Sequence, residues 1–190
     1  MTTIKNQKGI GMVEVLIALF LLAIGVLGFT ALQLRAVDAT SEALNRIQAM
    51  NLARDLAERI RANRGAATTY TTNLNASTQV STPATDCLIT TISATNGCSA
   101  VEMANYDTAT IVAKATILGL SIKMPDCPGM TTTTPANGST PAVTTGQNRA
   151  CIYISWGKTT PTDLSTDSDV ACTKDGSYQT NSQCVVMEAY

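Results

Sequence analysis

Glu14 is an acidic residue inside an otherwise apolar stretch, flanked by Met12-Val13 and Val15-Leu16. A carboxylate near the middle of a bilayer costs about 2.5–3.5 kcal/mol on insertion scales, so it either lies near the interface or meets a cation. Cleavage after Gly9 would create a new amine on Ile10, four residues before Glu14. The spacing therefore predicts a charge pair at membrane depth, with a snorkelling interfacial carboxylate as the alternative.

Six cysteines form the second group of reactive side chains. None of them forms a C-x-x-C pair, which argues against zinc and thioredoxin-like chemistry. In an oxidising compartment, which the membrane segment described below implies, an even number of cysteines predicts disulfides. We therefore expect three disulfides and, because sequence alone does not fix connectivity, take sequence neighbours as the simplest pairing. The expected pairs are Cys87–Cys98, Cys127–Cys151 and Cys172–Cys184.

Other side chains offer little chemistry. The acidic cluster Asp163, Asp167, Asp169 and Asp175 suggests calcium, but it lacks the ligand spacing and glycine of an EF-hand, so a solvated loop is favoured. Histidine is absent, which excludes His-dependent triads and His-ligated catalytic metals. Trp156 is expected in the core rather than in a binding platform. We expect no catalytic residue, no metal and no cofactor.

Charge divides the chain into two parts. Residues 1–64 contain eight basic and five acidic residues, whereas residues 65–190 contain five basic and nine acidic ones. All cysteines and all six prolines lie in the second part. A pI near 5.3 gives no basic footprint for nucleic acid. These counts indicate an appendage followed by a turn-rich, crosslinked domain.

The appendage contains a candidate membrane span. The run from Val15 to Leu34 has twenty residues and no charge, and a helix of that length spans about 30 Å. A secretory signal peptide is the alternative, but its apolar region is shorter, about 7–15 residues. Lys5 and Lys8 predict a cytoplasmic N-terminus by the positive-inside rule, which leaves everything after Arg35 outside.

Helical periodicity continues beyond the membrane segment. Leu44, Ile47, Leu52, Leu56 and Ile60 recur three to five residues apart. One helix is therefore predicted from about Ile10 to Asn63, roughly 80 Å long at 1.5 Å per residue. We expect it to end near Gly65, as a helix C-cap.

These residues carry a specific resemblance. The run from Lys8 to Leu19 resembles the class III signal of type IV pilins and type II secretion pseudopilins. The stretch from Val15 through Gly28, followed by Leu32-Gln33, further resembles PilV-like minor pilins. The match is clear over residues 8–64, and one departure from the commonest pattern is Ile10, where phenylalanine is usual.

The resemblance implies several properties. Prepilin peptidase would cut between Gly9 and Ile10 and methylate the Ile10 amine, and Glu14 would be the assembly contact. The implied fold is α+β, a type IV pilin fold in which a long N-terminal helix packs on a small antiparallel β-sheet head. The implied segments are 1–9 leader, 10–34 transmembrane and assembly half, 35–64 amphipathic half and 65–190 head.

The resemblance also implies partners and a location. The partners would be major and minor pilins, prepilin peptidase, the inner-membrane assembly machinery and, before assembly, the bilayer. The chain would lie in the inner membrane with its head in the periplasm, and later in the pilus.

The head agrees with that pattern. Residues 150–156 alternate as a strand should, and residues 184–188 read as the last strand. Residues 107–118 favour a helix, with Asp107 as a possible N-cap and Gly119 as the stop, although their Thr and Ile content suits a strand. Residues 66–85 and 130–148 are rich in Thr, Ser, Asn and Pro and are predicted as surface loops.

Three functions remain open. The first is a minor pilin that is built into a pilus or initiates one. The second is a type II secretion pseudopilin, although such heads tend to be smaller and poorer in cysteine. The third is an adhesin at a pilus tip.

Overall fold

The computed structural model describes residues 11–88, 97–128, 131–133, 143–145 and 149–189. The chain divides into two compact units, Met1–Leu44 and Asn45–Tyr190. In the first unit the described residues form the N-terminal part of helix α1 (Met12–Ala62), whose 51 residues continue into the second unit. The helix contains no proline, so its backbone hydrogen bonds run without interruption.

The end of α1 lies where the sequence predicts it, but the capping residue differs. The helix ends at Ala62, and a short 3₁₀ helix at Arg64–Ala66 follows. Gly65 is not a left-handed C-cap, because the glycines with positive φ in the described chain are Gly119, Gly157 and Gly176. The chain continues into another helix instead of reversing, so no left-handed residue is needed there.

Helix α2 (Ala67–Asn75) lies in the segment predicted as a loop, and that prediction is wrong for these nine residues. Tyr70 and Leu74, one helical turn apart, are both fully buried and hold the helix to the core. The sequence of α2 did not predict a helix, because four of its nine residues are threonine and threonine has low helix propensity. Residues 76–85 are irregular, as predicted.

Helix α3 (Ala100–Ile117) confirms the helical prediction for residues 107–117 and begins earlier. Its N-cap is Ser99, whose hydroxyl accepts from the N–H of Glu102 while the Glu102 carboxylate accepts from the N–H of Ser99. This reciprocal pair is a capping box. Asp107 is therefore not the N-cap but a buried residue in the middle of the helix. Gly119, with φ +68°, ends the helix as predicted.

The central sheet consists of β1 (Ser121–Lys123), β4 (Cys151–Ser155) and β8 (Cys184–Glu188). Its strand order is β1–β4–β8, and both pairings are antiparallel. Both strands predicted from the sequence, β4 and β8, are confirmed. Every residue of β4 is buried because both faces of the sheet are covered.

Two smaller sheets complete the head. Strands β2 (Thr131–Thr133) and β3 (Val143–Thr145) pair antiparallel, so the loop predicted over 130–148 is wrong at these positions. The rest of that loop lies outside the described residues. Strands β5 (Thr160–Leu164) and β6 (Ala171–Lys174) pair parallel, and β7 (Ser177–Tyr178) pairs antiparallel with β6. Threonine suits a strand as well as it suits a loop.

Two cores cover the central sheet. One face carries Ile152, Ile154 and Trp156 and packs against α1, α2 and α3. The opposite face carries Tyr153 among four buried cysteines. Trp156 is 5% exposed, so its predicted place in the core is confirmed. A long helix packed on a small sheet with disulfides is the α+β fold expected from the sequence.

Candidate functional site

Glu14 lies in the first turn of α1, where its N–H donates to the Gly11 carbonyl at 2.9 Å. The side chain is exposed, and within the described residues it has no hydrogen-bond or ion-pair partner. A carboxylate in the first turn of a helix interacts favourably with the helix dipole. Gly9 and Ile10 lie outside the described residues.

The helix around Glu14 exposes a continuous apolar surface. The apolar part of α1 in the first unit is not buried at any described position. Phe20, Leu27 and Phe29 are 66%, 69% and 62% exposed. Such a surface requires a lipid or protein cover, and α1 is long and apolar enough to cross a membrane.

An ion-pair network joins α1 to α3 within the second unit. Arg59 donates through Nη1 to Asp107 Oδ1 at 2.5 Å and through Nε to Asp55 Oδ1 at 2.7 Å. Lys114 donates to Asp55 Oδ2 at 3.0 Å. Burial alone would raise the pKa of Asp55, but the hydrogen bonds and charges of Arg59 and Lys114 outweigh it and lower that pKa. Two cations and two anions therefore neutralise one another across the two helices.

Tyr70 brings α2 into the same network. Its hydroxyl donates to Asp107 Oδ2 at 2.6 Å and accepts from Asn63 Nδ2 at 3.4 Å. Burial and the neighbouring Asp107 carboxylate raise the pKa of Tyr70 well above its ordinary value. Asp107 thus receives donors from two other helices, which makes it the polar centre of the helical layer.

Two side-chain amides close one edge of the central sheet. Asn75 donates to the Met124 carbonyl at 2.7 Å and accepts from the Met124 N–H at 3.0 Å. Gln79 donates to the Ile122 carbonyl at 2.8 Å. Strand β4 pairs with one edge of β1. The backbone groups that Asn75 and Gln79 bind lie on the opposite edge. The amides therefore take the place of a further strand.

The six cysteines form three disulfides, with the neighbour pairing expected from the sequence. They are Cys87–Cys98, Cys127–Cys151 and Cys172–Cys184, with Cα–Cα distances of 5.7, 4.9 and 5.8 Å. The second joins the chain beyond β1 to β4, and the third joins β6 to β8. These two crosslinks lie in the buried cluster around Tyr153.

The aspartate cluster is engaged by protein donors. Asp163 accepts from the Thr173 hydroxyl at 2.6 Å and from the Gly176 N–H at 3.1 Å. Asp167 accepts from Lys174 at 2.9 Å. In the part of the chain that the structure describes, no three His, Cys, Asp or Glu side chains converge as metal ligands do. Asp163 and Asp167 therefore bind protein donors around strand β6.

The sequence did not predict the roles of Tyr70 and Asn75, and it indicated Asp107 as an N-cap instead of as the partner of Arg59. A signal for Asp107 was present, because a buried helix position occupied by an acid predicts a cationic partner on a neighbouring helix. The roles of Tyr70 and Asn75 depend on α2, which the threonine content concealed.

Two family models match adjacent segments of the chain. The model described as type IV pilin Tt1218 matches residues 31–109. The model of the prokaryotic N-terminal methylation motif matches residues 4–30, a range that contains Gly9, Ile10 and Glu14. A search of curated proteins and a search of solved structures each found no match. The methylation motif followed by an exposed apolar helix fits anchoring in a membrane before assembly.

Proposed function

Because this chain is a type IV pilin by its methylation motif and its fold, we propose that it is a minor pilin of the PilV-like kind, a subunit that acts in assembly, initiation or modification of a type IV pilus. The family is structural, so the work of the chain is to bind other subunits. The observation that carries the proposal is Glu14, an exposed carboxylate in the first turn of an exposed apolar helix.

Processing precedes assembly in this proposal. Prepilin peptidase removes residues 1–9 by cutting between Gly9 and Ile10, and the new Ile10 amine is methylated. Glycine has no side chain to obstruct a protease at the membrane interface. Lys5 and Lys8 keep the cleavage site cytoplasmic by the positive-inside rule. The matching methylation motif supports this step.

The processed chain then waits in the inner membrane. Residues 10–34 form the membrane and assembly half of the helix, residues 35–64 the amphipathic half, and residues 65–190 the periplasmic head. The absence of charge from Val15 to Leu34 supports a membrane segment that ends at residue 34. Six cysteines in the last segment support an oxidising compartment. After assembly the head is carried to the cell surface on the pilus.

Glu14 fixes the position of the subunit in the fibre. A methylated amine remains cationic, so Ile10 of the same chain or of a neighbouring pilin can pair with the Glu14 carboxylate. Apolar helix surfaces alone would let one helix slide along another. A charge pair in a low-dielectric core opposes sliding, because a slip leaves two charges unpaired. Leaving them unpaired costs on the order of several kcal/mol.

Deletion of the gene, with surface pili and secreted enzymes scored separately, tests the proposal. We expect fewer or altered pili with normal secretion, restored by the wild-type chain. Loss of secretion with normal pili would instead support a pseudopilin. Intact mass of the mature chain should begin at Ile10 and carry one extra methyl group. Retention of Met1 in assembled pili would contradict the processing step.

A further inference from the structure

The three disulfides of the head differ in their access to solvent. The four cysteines of Cys127–Cys151 and Cys172–Cys184 lie in one buried cluster, and none of them is more than 8% exposed. Cys87 and Cys98 are only partly buried. The residues that flank this pair are all exposed, namely Asp86, Leu88, Gly97 and Ser99. Because a thiol must reach a sulfur atom before it can exchange with a disulfide, access favours Cys87–Cys98.

The Cys87–Cys98 crosslink lies outside the two hydrophobic cores. It joins the irregular segment after α2 to the residue that precedes the N-cap of α3. That segment also has its own anchor in Gln79, whose amide donates to the Leu74 and Ile122 carbonyls. The other two crosslinks, in contrast, include residues of β4, β6 and β8. The folded head can therefore lose Cys87–Cys98 while its cores and its central sheet keep their contacts.

The sequence around this pair lacks the groups that activate a cysteine. A thiol becomes a strong nucleophile beside a cation that stabilises its thiolate. Between Arg64 and Lys114 the chain has no basic residue, and Asp86 directly precedes Cys87. The pair therefore has the character of a target of exchange and not of a catalyst, and the attacking thiolate must come from a second molecule.

We propose that Cys87–Cys98 is a thiol-exchange site, which a small external dithiol reduces in the folded chain while the other two disulfides stay closed. One thiolate of the dithiol attacks a sulfur of the pair, the S–S bond breaks, and the other cysteine leaves as a thiolate that takes a proton from water. The second thiolate of the dithiol then attacks the mixed disulfide and releases the first cysteine. The dithiol is oxidised to a cyclic disulfide, and Cys87 and Cys98 are reduced to two thiols.

The same crosslink lies close to one wall of a cavity. The cavity has a volume of about 270 Å³ and lies between α2, α3 and residues 76–84. On the side of α3 its lining includes Ala109 and Val112, which are 2% and 7% exposed. The wall opposite them ends at Ala84, three residues before Cys87. Reduction removes the crosslink that ties this wall to α3, so residues 76–84 should become more accessible.

Reduction of the folded full-length chain in detergent tests this proposal. Dithiothreitol is added, samples are quenched over time with N-ethylmaleimide, and peptide maps locate the modified cysteines. We expect Cys87 and Cys98 to be modified at least about tenfold faster than Cys172 and Cys184, because a buried disulfide must await a local opening of the core. Equal rates, or faster modification of any other pair, would overturn the proposal.

The chain contains a matched control for this measurement. Cys87–Cys98 and Cys172–Cys184 have sequence separations of 11 and 12, so the two pairs differ in burial and hardly in loop length. In guanidinium, where both pairs are accessible, we expect the two rates to agree within about threefold. A difference that persists unchanged in guanidinium would overturn access as its cause.

A variant that carries both Cys87→Ser and Cys98→Ser tests the site and the cavity wall together. When folded, it should release no thiols over the period in which dithiothreitol opens the wild-type pair. Thermolysin, which cuts before large apolar residues, should cut the variant before Val80 faster than it cuts the oxidised wild type, since Val80 is 64% exposed and lines the cavity. Thiol release at the wild-type rate would overturn the site, and unchanged cleavage before Val80 would overturn the effect on the wall.

Discussion

Arg59 and Asp107 lie 48 positions apart in the sequence, and their side chains meet at 2.5 Å between Nη1 and Oδ1. The Asp107 side chain is 8% exposed, and its two carboxylate oxygens accept from Arg59 and from the Tyr70 hydroxyl. The pair holds α3 to the half of α1 that belongs to the head. Asp107 thus joins α3 to α1 within the helical layer that covers the sheet.

Asp107→Asn should destabilise the head. The change keeps the shape but removes the charge that faces Arg59. We expect a loss of about 2 kcal/mol, less than for a fully buried pair because Arg59 remains 28% exposed. Chemical unfolding of the detergent-solubilised chain measures the loss. Glu58→Gln is the control, since Glu58 pairs with Arg61 on the exposed surface and should cost about 0.5 kcal/mol or less. Equal losses in both variants would contradict a central role for Asp107.

Acid should weaken the same network. The pKa of Asp55 is lowered below its ordinary 3.8, so the unfolded chain takes up a proton there at a higher pH than the folded chain. The stability that Asp55 contributes is present above pH 3.8 and is lost as the pH falls through the lowered pKa. Asp55→Asn should flatten this acid limb of a stability–pH curve. An unchanged acid limb would show that Asp55 contributes nothing to it.

Alkali should weaken the head through its buried tyrosines. Burial raises the pKa of Tyr70 and of Tyr153 above the ordinary 10.0, so above that pH the folded chain retains protons that the unfolded chain loses. Stability should therefore fall as the pH rises beyond 10. Tyr70→Phe should reduce the slope of that fall and leave the part due to Tyr153. A slope identical to wild type would refute the assignment to Tyr70.

The long helix, the two central strands and Trp156 could be predicted because their signals are local. Each of these signals lies in one continuous stretch of sequence: a long run without charge, apolar residues at helical spacing, or alternating residues in a strand. Helix α2 and strands β2 and β3 could not be predicted, since threonine suits loops and strands alike and disfavours helices only mildly. The formation of α2 depends on its buried anchors Tyr70 and Leu74, which pack in one core with distant parts of the chain.

One part of the candidate site could be predicted from the sequence, and the other part depends on the packing of the helices. Glu14 stands out in the sequence because a carboxylate is rare within an apolar run. The sequence indicated Asp107 as an N-cap, but the helix begins earlier. Its capping box is formed by Ser99 and Glu102, eight and five residues before Asp107. Its partner Arg59 is distant in sequence, and only the packing of α1 on α3 brings the two together.

Two disulfides of nearly equal loop length should differ in their contribution to stability. Cys87–Cys98 and Cys172–Cys184 have sequence separations of 11 and 12, so their loop entropies nearly match, at about 3 kcal/mol each. Cys172 and Cys184 lie in the buried cluster, whereas Cys87 and Cys98 are only partly buried. Replacing both cysteines by alanine should therefore cost more at the buried pair, because a cavity is added. Equal costs, or free thiols in non-reducing peptide maps of the wild type, would contradict this account.

Asn75→Ala should open the edge of the central sheet. Losing the amide leaves the Met124 N–H without its acceptor, at a cost of about 1–3 kcal/mol. Hydrogen exchange at the Met124 amide should then accelerate. The Cys151 amide should stay protected, because it donates to the Pro125 carbonyl and not to Asn75. Unchanged exchange at Met124 would show that the amide does not close the edge.

The central claim is that Glu14 acts in assembly through its charge, and the amount of Glu14→Val chain in sheared pili tests it most directly. Valine suits lipid better than glutamate does, so membrane insertion and cleavage after Gly9 should persist. We expect mature Glu14→Val chain in the inner membrane, with its amount in pili reduced at least about tenfold, the equivalent of about 1.4 kcal/mol. Incorporation equal to wild type, with normal pilus number, would contradict the claim.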